Sequence, residues 1–338
     1  MIRVGILGAG FMGGMHGACY QALAELGVQV AAIADVRPGW ADKLAAKLGG
    51  GAAVYDDGMR LIDEADVDVV DVCLPTDLHA RYAAAAMKKG RAVFCEKPVC
   101  FTDEDMALIL KTRRETGVPV MIGQVIRLWT EYAWLKRTVD AGTWGRVLSG
   151  VFQRVSSRPG WASENWLHTP SRSGGVAVDM HVHDVDFVRY LLGEPDRVHA
   201  EAYRDKTGLI EQIFAVYGYG SDTAVAIEAG WDFPAAFPFS ASYRVKLEKA
   251  TVVFEGGRLT VYPNEGEPFQ PELPKAFEAE NDIGGNLSSL GGYYNELRYF
   301  IEGLQGKNDL SVAPPEEAVA SVRLVKREIE AAGGLIVR

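Results

Sequence analysis

Short apolar, β-branched runs recur through the first third of the chain, each followed by a stretch with helical spacing. IRVGILGAG opens the series as a strand, and the helix after it is expected to run to about Leu26. VQVAAIADV, DVDVVDVCLPT, RAVFCEKP and VPVMIGQV supply further strands. Helices are expected from Pro38 through Lys47, from Asp77 to Lys88, and after Thr102. Thr102 caps a first turn carrying Asp103, Glu104 and Asp105, where carboxylates favour the positive helix end. Continuous apolar strands alternating with helices predict a parallel, doubly wound sheet covered on both faces.

The rhythm changes after about Gln124. A helix at Thr130–Ala141 and a strand at Arg146–Ser156 come first, and a further helix follows Gly174-Gly175. RVHAEAY, EQIFAVYGYG, TAVAIEAGW and SYRVKLEKATVVFEGGRLTVY then alternate apolar and polar positions. That period predicts a mostly antiparallel sheet with one covered face. Helices near Tyr293–Leu304 and Pro315–Ala331 finish the chain, and 263–280 and 284–292 read as loops able to border a cleft. The expected fold class is therefore α/β: a doubly wound, Rossmann-type domain over residues 1–123, then an α+β domain over 124–338. The C-terminal helix is an element that can pack back on the first domain.

A length of 338 residues suits two domains. The formal net charge is −10 and Lys/Arg blocks are absent, which argues against a nucleic-acid or anionic-membrane partner. Cys19, Cys73, Cys95 and Cys100 form no CxxC pair, so reduced thiols are expected. The chain starts directly on a strand pattern and holds no apolar run long enough for a membrane span. A cytoplasmic location is the expectation.

GILGAGFMG sets Gly8, Gly10 and Gly13 as G-x-G-x-x-G between a strand and a helix, with Phe11 and Met12 in the helix's first turn. The first glycine allows a tight turn, the second lets a pyrophosphate approach the backbone, and the third lets helix and strand close. Phosphates would then sit at the helix N-terminus. Asp35 ends the second strand, where its carboxylate would accept ribose hydroxyls and repel a 2′-phosphate. NAD is the expected cofactor. Arg37 keeps NADP open, because its charge could neutralise that phosphate.

VDMHVHDVD packs two histidines and three carboxylates into nine residues, and reads as a metal site, an acid/base site or a polar helix start. On a helix Asp179 and His183 share a face, whereas His181 turns away. A carboxylate beside an imidazole stabilises the imidazolium and makes a proton acceptor near neutral pH. The metal reading, a hydrolase using H-x-H, needs more ligands downstream, and only His199 follows. No metal is expected. Asp186 reads as a structural hydrogen-bond acceptor.

CLPTDLHA, CEKPV, GTWGRV and SGGVAVDMHVHDVDFVRYLLGEP, taken with the glycine loop, resemble the glucose-fructose oxidoreductase / inositol dehydrogenase (Gfo/Idh/MocA) family over nearly the whole chain. The resemblance implies hydride transfer between a nicotinamide cofactor and a secondary alcohol or ketone of a sugar, cyclic polyol or sugar derivative. It makes Lys97, Asp179 and His183 the catalytic and substrate-facing set, with either Lys97 or His183 as proton carrier. It makes Leu74, Pro75, Thr76, His79, Glu96, Lys97 and Gln124 cofactor-side residues. Family members commonly carry a small or apolar residue where this chain has His181.

Trp161, Asn165, Trp166 and His168 form an aromatic, polar loop suited to stacking on a sugar ring or to packing. Tyr293, Tyr294 or Asn295 is a candidate hydrogen-bond partner for substrate, Tyr293 foremost. Trp129, Tyr132 and Trp134 read as packing. The open sheet face would need a cover, so a homodimer or homotetramer is expected. The non-enzyme alternative is a nicotinamide-binding sensor or scaffold.

Overall fold

The computed structural model describes residues 1–160, 163–275, 277 and 290–334. Trp161 and the expected loop at 284–289 lie outside them. The chain divides into two compact units. The first holds Met1–Leu128, the described residues of 161–166, and those of 276–319. The second holds Trp129–Gly160, Leu167–Lys275 and the described residues of 320–338. These units do not follow a single cut after Gly123, since 124–128 and the described residues of 276–319 cluster with the first.

In the first unit, strands β1 (Ile2–Leu7), β2 (Val28–Ala34), β3 (Ala53–Tyr55), β4 (Val69–Val72), β5 (Ala92–Glu96) and β6 (Val120–Gly123) form one sheet. Every pair is parallel, and the order is β3-β2-β1-β4-β5-β6, the dinucleotide-binding order. All residues of β4, β5 and β6 are buried, which is why these strands read as unbroken apolar runs. Helices α1 (Phe11–Ala22), α2 (Trp40–Lys47), α3 (Gly58–Glu64), α4 (Thr76–Lys88) and α5 (Asp103–Thr116) connect them. α1 stops short of the expected Leu26. A 3₁₀ turn at Ala24–Leu26 follows, closed by Gly27 at φ 74°. The Thr102 hydroxyl accepts the Asp105 N–H, as a cap should.

The second unit opens with α6 (Thr130–Asp140) and β7 (Val147–Ser157). A helical turn α7 (Pro170–Ser173), a π-helical turn at Ala177–His181, and α8 (Val182–Leu192) follow. Strands β8 (Arg197–Arg204), β9 (Ile210–Tyr219), β10 (Thr223–Phe233), β11 (Ser240–Leu247), β12 (Ala250–Glu255) and β13 (Arg258–Pro263) complete a sheet ordered β13-β12-β11-β7-β10-β9-β8. Its pairs are antiparallel except β7 with β10. The covered face packs around Tyr132, whose ring centre lies 4.8 Å from Phe187 and 5.0 Å from Tyr243. On the other face Val151, Ala226 and Val216 stand in register across β7, β10 and β9, and Val151 and Val216 are exposed.

Two helices end the chain, α9 (Gly291–Leu304) and α10 (Pro315–Ala331). α9 belongs to the first unit: Leu297, Phe300 and Ile301 join Met15, Cys19 and Tyr20 of α1 in one apolar core. No helix among the described residues is long and apolar enough to cross a membrane. None of the four cysteines is joined in a disulfide.

Candidate active site

The glycine loop has the shape its spacing implies. Gly8 adopts φ 95°, and a Cβ there would lie 2.5 Å from the Cys73 carbonyl oxygen. A Cβ on Gly13 would lie 1.8 Å from the Gly8 carbonyl oxygen, so only glycine lets α1 close on the loop. At Gly10 the nearest atom to an added Cβ is Arg37 Nη2 at 3.6 Å. That position is open, as the backbone approach of a pyrophosphate requires. No side chain caps α1 at Gly10, and Phe11 and Met12 of its first turn are half-buried. The cradle fits a dinucleotide.

Asp35 follows β2 and is oriented by the loop itself. Ala9 N–H donates to Oδ2 at 2.8 Å, while the Arg37 backbone and Nε donate to Oδ1 at 2.9 and 2.8 Å. Burial alone would raise the Asp35 pKa, but the hydrogen bonds from Arg37 and Ala9 outweigh it and hold the carboxyl below its ordinary range. The Arg37 guanidinium lies 3.7 Å from the centre of the Trp40 ring.

Leu74 and Pro75 form the turn from β4 into α4, both half-buried. Thr76 Oγ1 and Gln124 Nε2 are buried without a hydrogen-bond partner among the described residues. His79 does not present its ring to an open side. It is 1% exposed, with Nδ1 2.7 Å from the Pro98 carbonyl oxygen and Nε2 2.6 Å from that of Leu74. Its role is to tie the turn after β4 to the turn after β5. Two donated hydrogen bonds would need the doubly protonated ring, yet burial lowers the His79 pKa, so the neutral ring donates one.

Glu96 and Lys97 part company at the end of β5. Lys97 is half-buried between two buried neighbours, Glu96 and Pro98. The Glu96 side chain points inward and is buried, with Oε1 3.0 Å from His16 Nε2. His16 is a residue sequence reasoning missed. It is fully buried on the inner face of α1, and its Nδ1 lies 2.9 Å from Asp71 Oδ2. The signal was present: Asp71 interrupts the apolar run of β4, and a carboxylate there needs an interior partner. Donor atoms of His16, Asp71 and Cys73, and of His16, Glu96 and Glu296, lie within 4.8 Å of one another in each group.

In the second unit, Gly174 and Gly175 adopt φ 76° and 71° and turn the chain into the π-helical turn. The Ser173 hydroxyl donates to the Leu167 carbonyl at 2.7 Å and accepts the Gly175 N–H at 2.9 Å. Asp179 and His183 are half-buried, whereas His181, Val182 and Asp184 are buried. His181 is turned inward, with Nε2 3.1 Å from Glu328 Oε2. It is therefore packed against Glu328 of α10, while His183 keeps part of its surface open. Asp184 takes Arg154 Nε at 2.7 Å, and Asp186 accepts the Ser321 hydroxyl at 2.7 Å, the structural role expected of it.

The aromatic candidates divide by unit. Trp166 and Tyr293 lie half-buried in the first, the Tyr293 ring 6.3 Å from that of His16. Tyr294 stacks on Phe277 at 4.3 Å, and Asn295 Nδ2 donates to the Leu128 carbonyl. His168, in the second unit, lies with Nε2 2.7 Å from the Pro159 carbonyl oxygen and packs edgewise on Trp231. His168, Tyr294 and Asn295 are thus engaged in packing.

Residues 2–124 match a family model described as the oxidoreductase family with an NAD-binding Rossmann fold, and residues 132–259 match the same family's C-terminal domain. The chain is 32% identical over 198 residues to inositol 2-dehydrogenase of Rhizobium meliloti, covering 57% of this chain and 56% of that one. It is 27% identical over 319 residues to myo-inositol 2-dehydrogenase of Thermotoga maritima, covering 93% and 90%. The match thus spans little more than half the first relative and nine tenths of the second. A levoglucosan dehydrogenase in complex with NADH and levoglucosan has the same fold, with TM-score 0.82 at 20% identity over 98% of this chain and 97% of that one. With its glycine cradle, its sheet order and both domains matched, the chain belongs to the Gfo/Idh/MocA family of oxidoreductases.

Proposed function

We propose that this protein is an NAD-dependent dehydrogenase or reductase acting on a CH–OH group of a sugar, cyclic polyol or sugar derivative. The inositol dehydrogenases among its relatives, and the NADH and levoglucosan held by a structural neighbour, support that substrate class. The observation that carries the reading is selective exposure. Lys97 and His183 each keep part of their surface open between buried neighbours, and Asp179 is half-buried next to buried Val178.

Gly8, Gly10 and Gly13 would hold the pyrophosphate of NAD, and Asp35 the adenosine ribose; Thr76 and Gln124 have polar atoms to spare for it. When bound, NAD supplies the acceptor or donor of the hydride. The chain's own task is the proton and the charge. His183 takes the hydroxyl proton as the substrate carbon is oxidised, and returns it in the other direction. Asp179 holds His183 and stabilises its charged form. Lys97 places positive charge where alkoxide character develops. Trp166 and Tyr293 are proposed substrate contacts. The exposed apolar residues of the open sheet face fit a homo-oligomer.

The test is direct hydride transfer: the protein is incubated with NAD and polyols deuterated at the reacting carbon, and the NADH formed is weighed. Deuterium in the nicotinamide supports the reading. NADH binding without transfer from any polyol would favour a non-catalytic sensor.

A further inference from the structure

α1, β4, β5 and α9 each send an ionisable side chain to one point inside the first unit. His16, Asp71 and Glu296 are fully buried and Glu96 is 5% exposed. His16 Nδ1 lies 2.9 Å from Asp71 Oδ2, and Nε2 lies 3.0 Å from Glu96 Oε1. Both ring nitrogens therefore face carboxyl oxygens, and a neutral imidazole has one N–H to offer them. Burial alone would lower the His16 pKa, but the neighbouring Asp71 carboxylate outweighs it and raises it, which favours the imidazolium. A Glu296 oxygen lies within 4.8 Å of donor atoms of both His16 and Glu96. Two buried carboxyls that close do not both ionise. Burial first, then the charge of Glu96, raises the Glu296 pKa, which favours its protonated form.

Replacing such a set by apolar side chains would often leave a protein as stable or more so, so packing alone does not account for it. The set reaches Lys97 through Glu96. Glu96 Oε2 accepts the backbone N–H of Lys97 at 3.1 Å. One carboxylate thus faces His16 through one oxygen and Lys97 through the other.

We propose that His16 is a positioning residue for Lys97: by holding one oxygen of Glu96 it fixes the other on the Lys97 N–H, and so sets the direction in which the lysine leaves β5. The proposal rests on the reading of Lys97 as a group that acts on substrate. Because α1 also carries the glycine loop, the same link ties the cofactor cradle to the lysine's strand.

The test compares His16→Gln, Glu96→Ala and Glu96→Gln in the full-length protein. Glu96→Gln keeps an oxygen for the Lys97 N–H and an amide N–H for a neutral His16, whereas Glu96→Ala removes both. Expected are kcat losses of about 10–100-fold in His16→Gln and Glu96→Ala, with KM little changed and most activity kept by Glu96→Gln. The pH dependence of Lys97 labelling by an amine-reactive reagent, read by peptide mass, shifts in the two damaging variants and not in Glu96→Gln. Wild-type kcat and labelling in His16→Gln and Glu96→Ala, with only a lower melting temperature, would overturn the proposal. One equivalent of metal held by the wild type and lost in His16→Gln would also overturn it, since His16 would then be a ligand. Lys97→Ala, measured alongside, separates the two readings. If it keeps full turnover the role of Lys97 falls, while the labelling still decides whether His16 governs the lysine. Should His16→Gln fail to fold, Glu96→Asp, which withdraws the oxygen from the Lys97 N–H, carries the test with the same expected loss.

Discussion

Arg37 grips Asp35 with two prongs: Nε donates to Oδ1 at 2.8 Å and Nη2 to Oδ2 at 2.6 Å. Each carboxylate oxygen also takes a backbone N–H, from Arg37 and from Ala9. Asp35 is therefore charged and aimed, and Arg37 is held by it. Replacing Asp35 by Ala frees the guanidinium to meet a 2′-phosphate. The NADP-to-NAD ratio of kcat/KM is expected to rise about 10–100-fold, the worth of a charge-assisted pair. Adding Arg37→Ala is expected to cancel the gain. An unchanged ratio in Asp35→Ala would remove Asp35 from cofactor choice.

Lys97→Ala and His183→Asn are each expected to lower kcat by about 100-fold or more while NADH affinity and melting temperature stay near wild type. Steady-state kinetics with fluorescence titration of NADH separates the two effects. A wild-type kcat in either variant removes that residue from the chemistry.

Glu328 is fully buried, faces His181 Nε2 at 3.1 Å and accepts the Tyr217 hydroxyl. Glu328→Ala strands both partners and is expected to cost about 3–5 kcal/mol of stability, as breaking a buried pair does. Denaturant unfolding measures this. A cost below about 1 kcal/mol, the level of an exposed pair, would contradict the structural role given to His181.

Glu296 and His16 both have pKa values raised by folding. A raised value means the folded state binds more protons than the unfolded one, so stability falls as pH rises through the window between them. For Glu296 the window opens above the ordinary value of about 4.3, and for His16 above about 6.5. Glu296→Gln has no proton to lose. Its melting temperature relative to wild type is expected to climb in the variant's favour from about pH 5 to about pH 8. A constant difference across that range would mean that Glu296 is ionised in the folded protein.

Much of this was legible in the chain. The apolar runs VVDV, AVFCE and VMIG read as buried parallel strands because both their faces are covered. The glycine spacing announced steric needs that the Gly8 and Gly13 contacts bear out. Less legible was anything set by partners far away in sequence. His181 was expected to turn away from the Asp179 face, but nothing local named its partner Glu328, 147 residues on. Glu96 sat in a motif beside Lys97, yet strand alternation turned it inward to His16. The parallel pairing of β7 with β10 also escaped period-two reading, because alternation reports faces and not strand direction.

The central claim is redox turnover with NAD, and nicotinamide absorbance tests it most directly. Purified protein is mixed with NAD, then with NADP, against inositols, aldoses, anhydrosugars and sugar acids, with the corresponding ketones and NADH for the reverse direction. Reduction of NAD by one polyol or sugar class, slower with NADP and lost in Lys97→Ala, is the predicted result. Tight NADH binding with no turnover in either direction across the panel would contradict it.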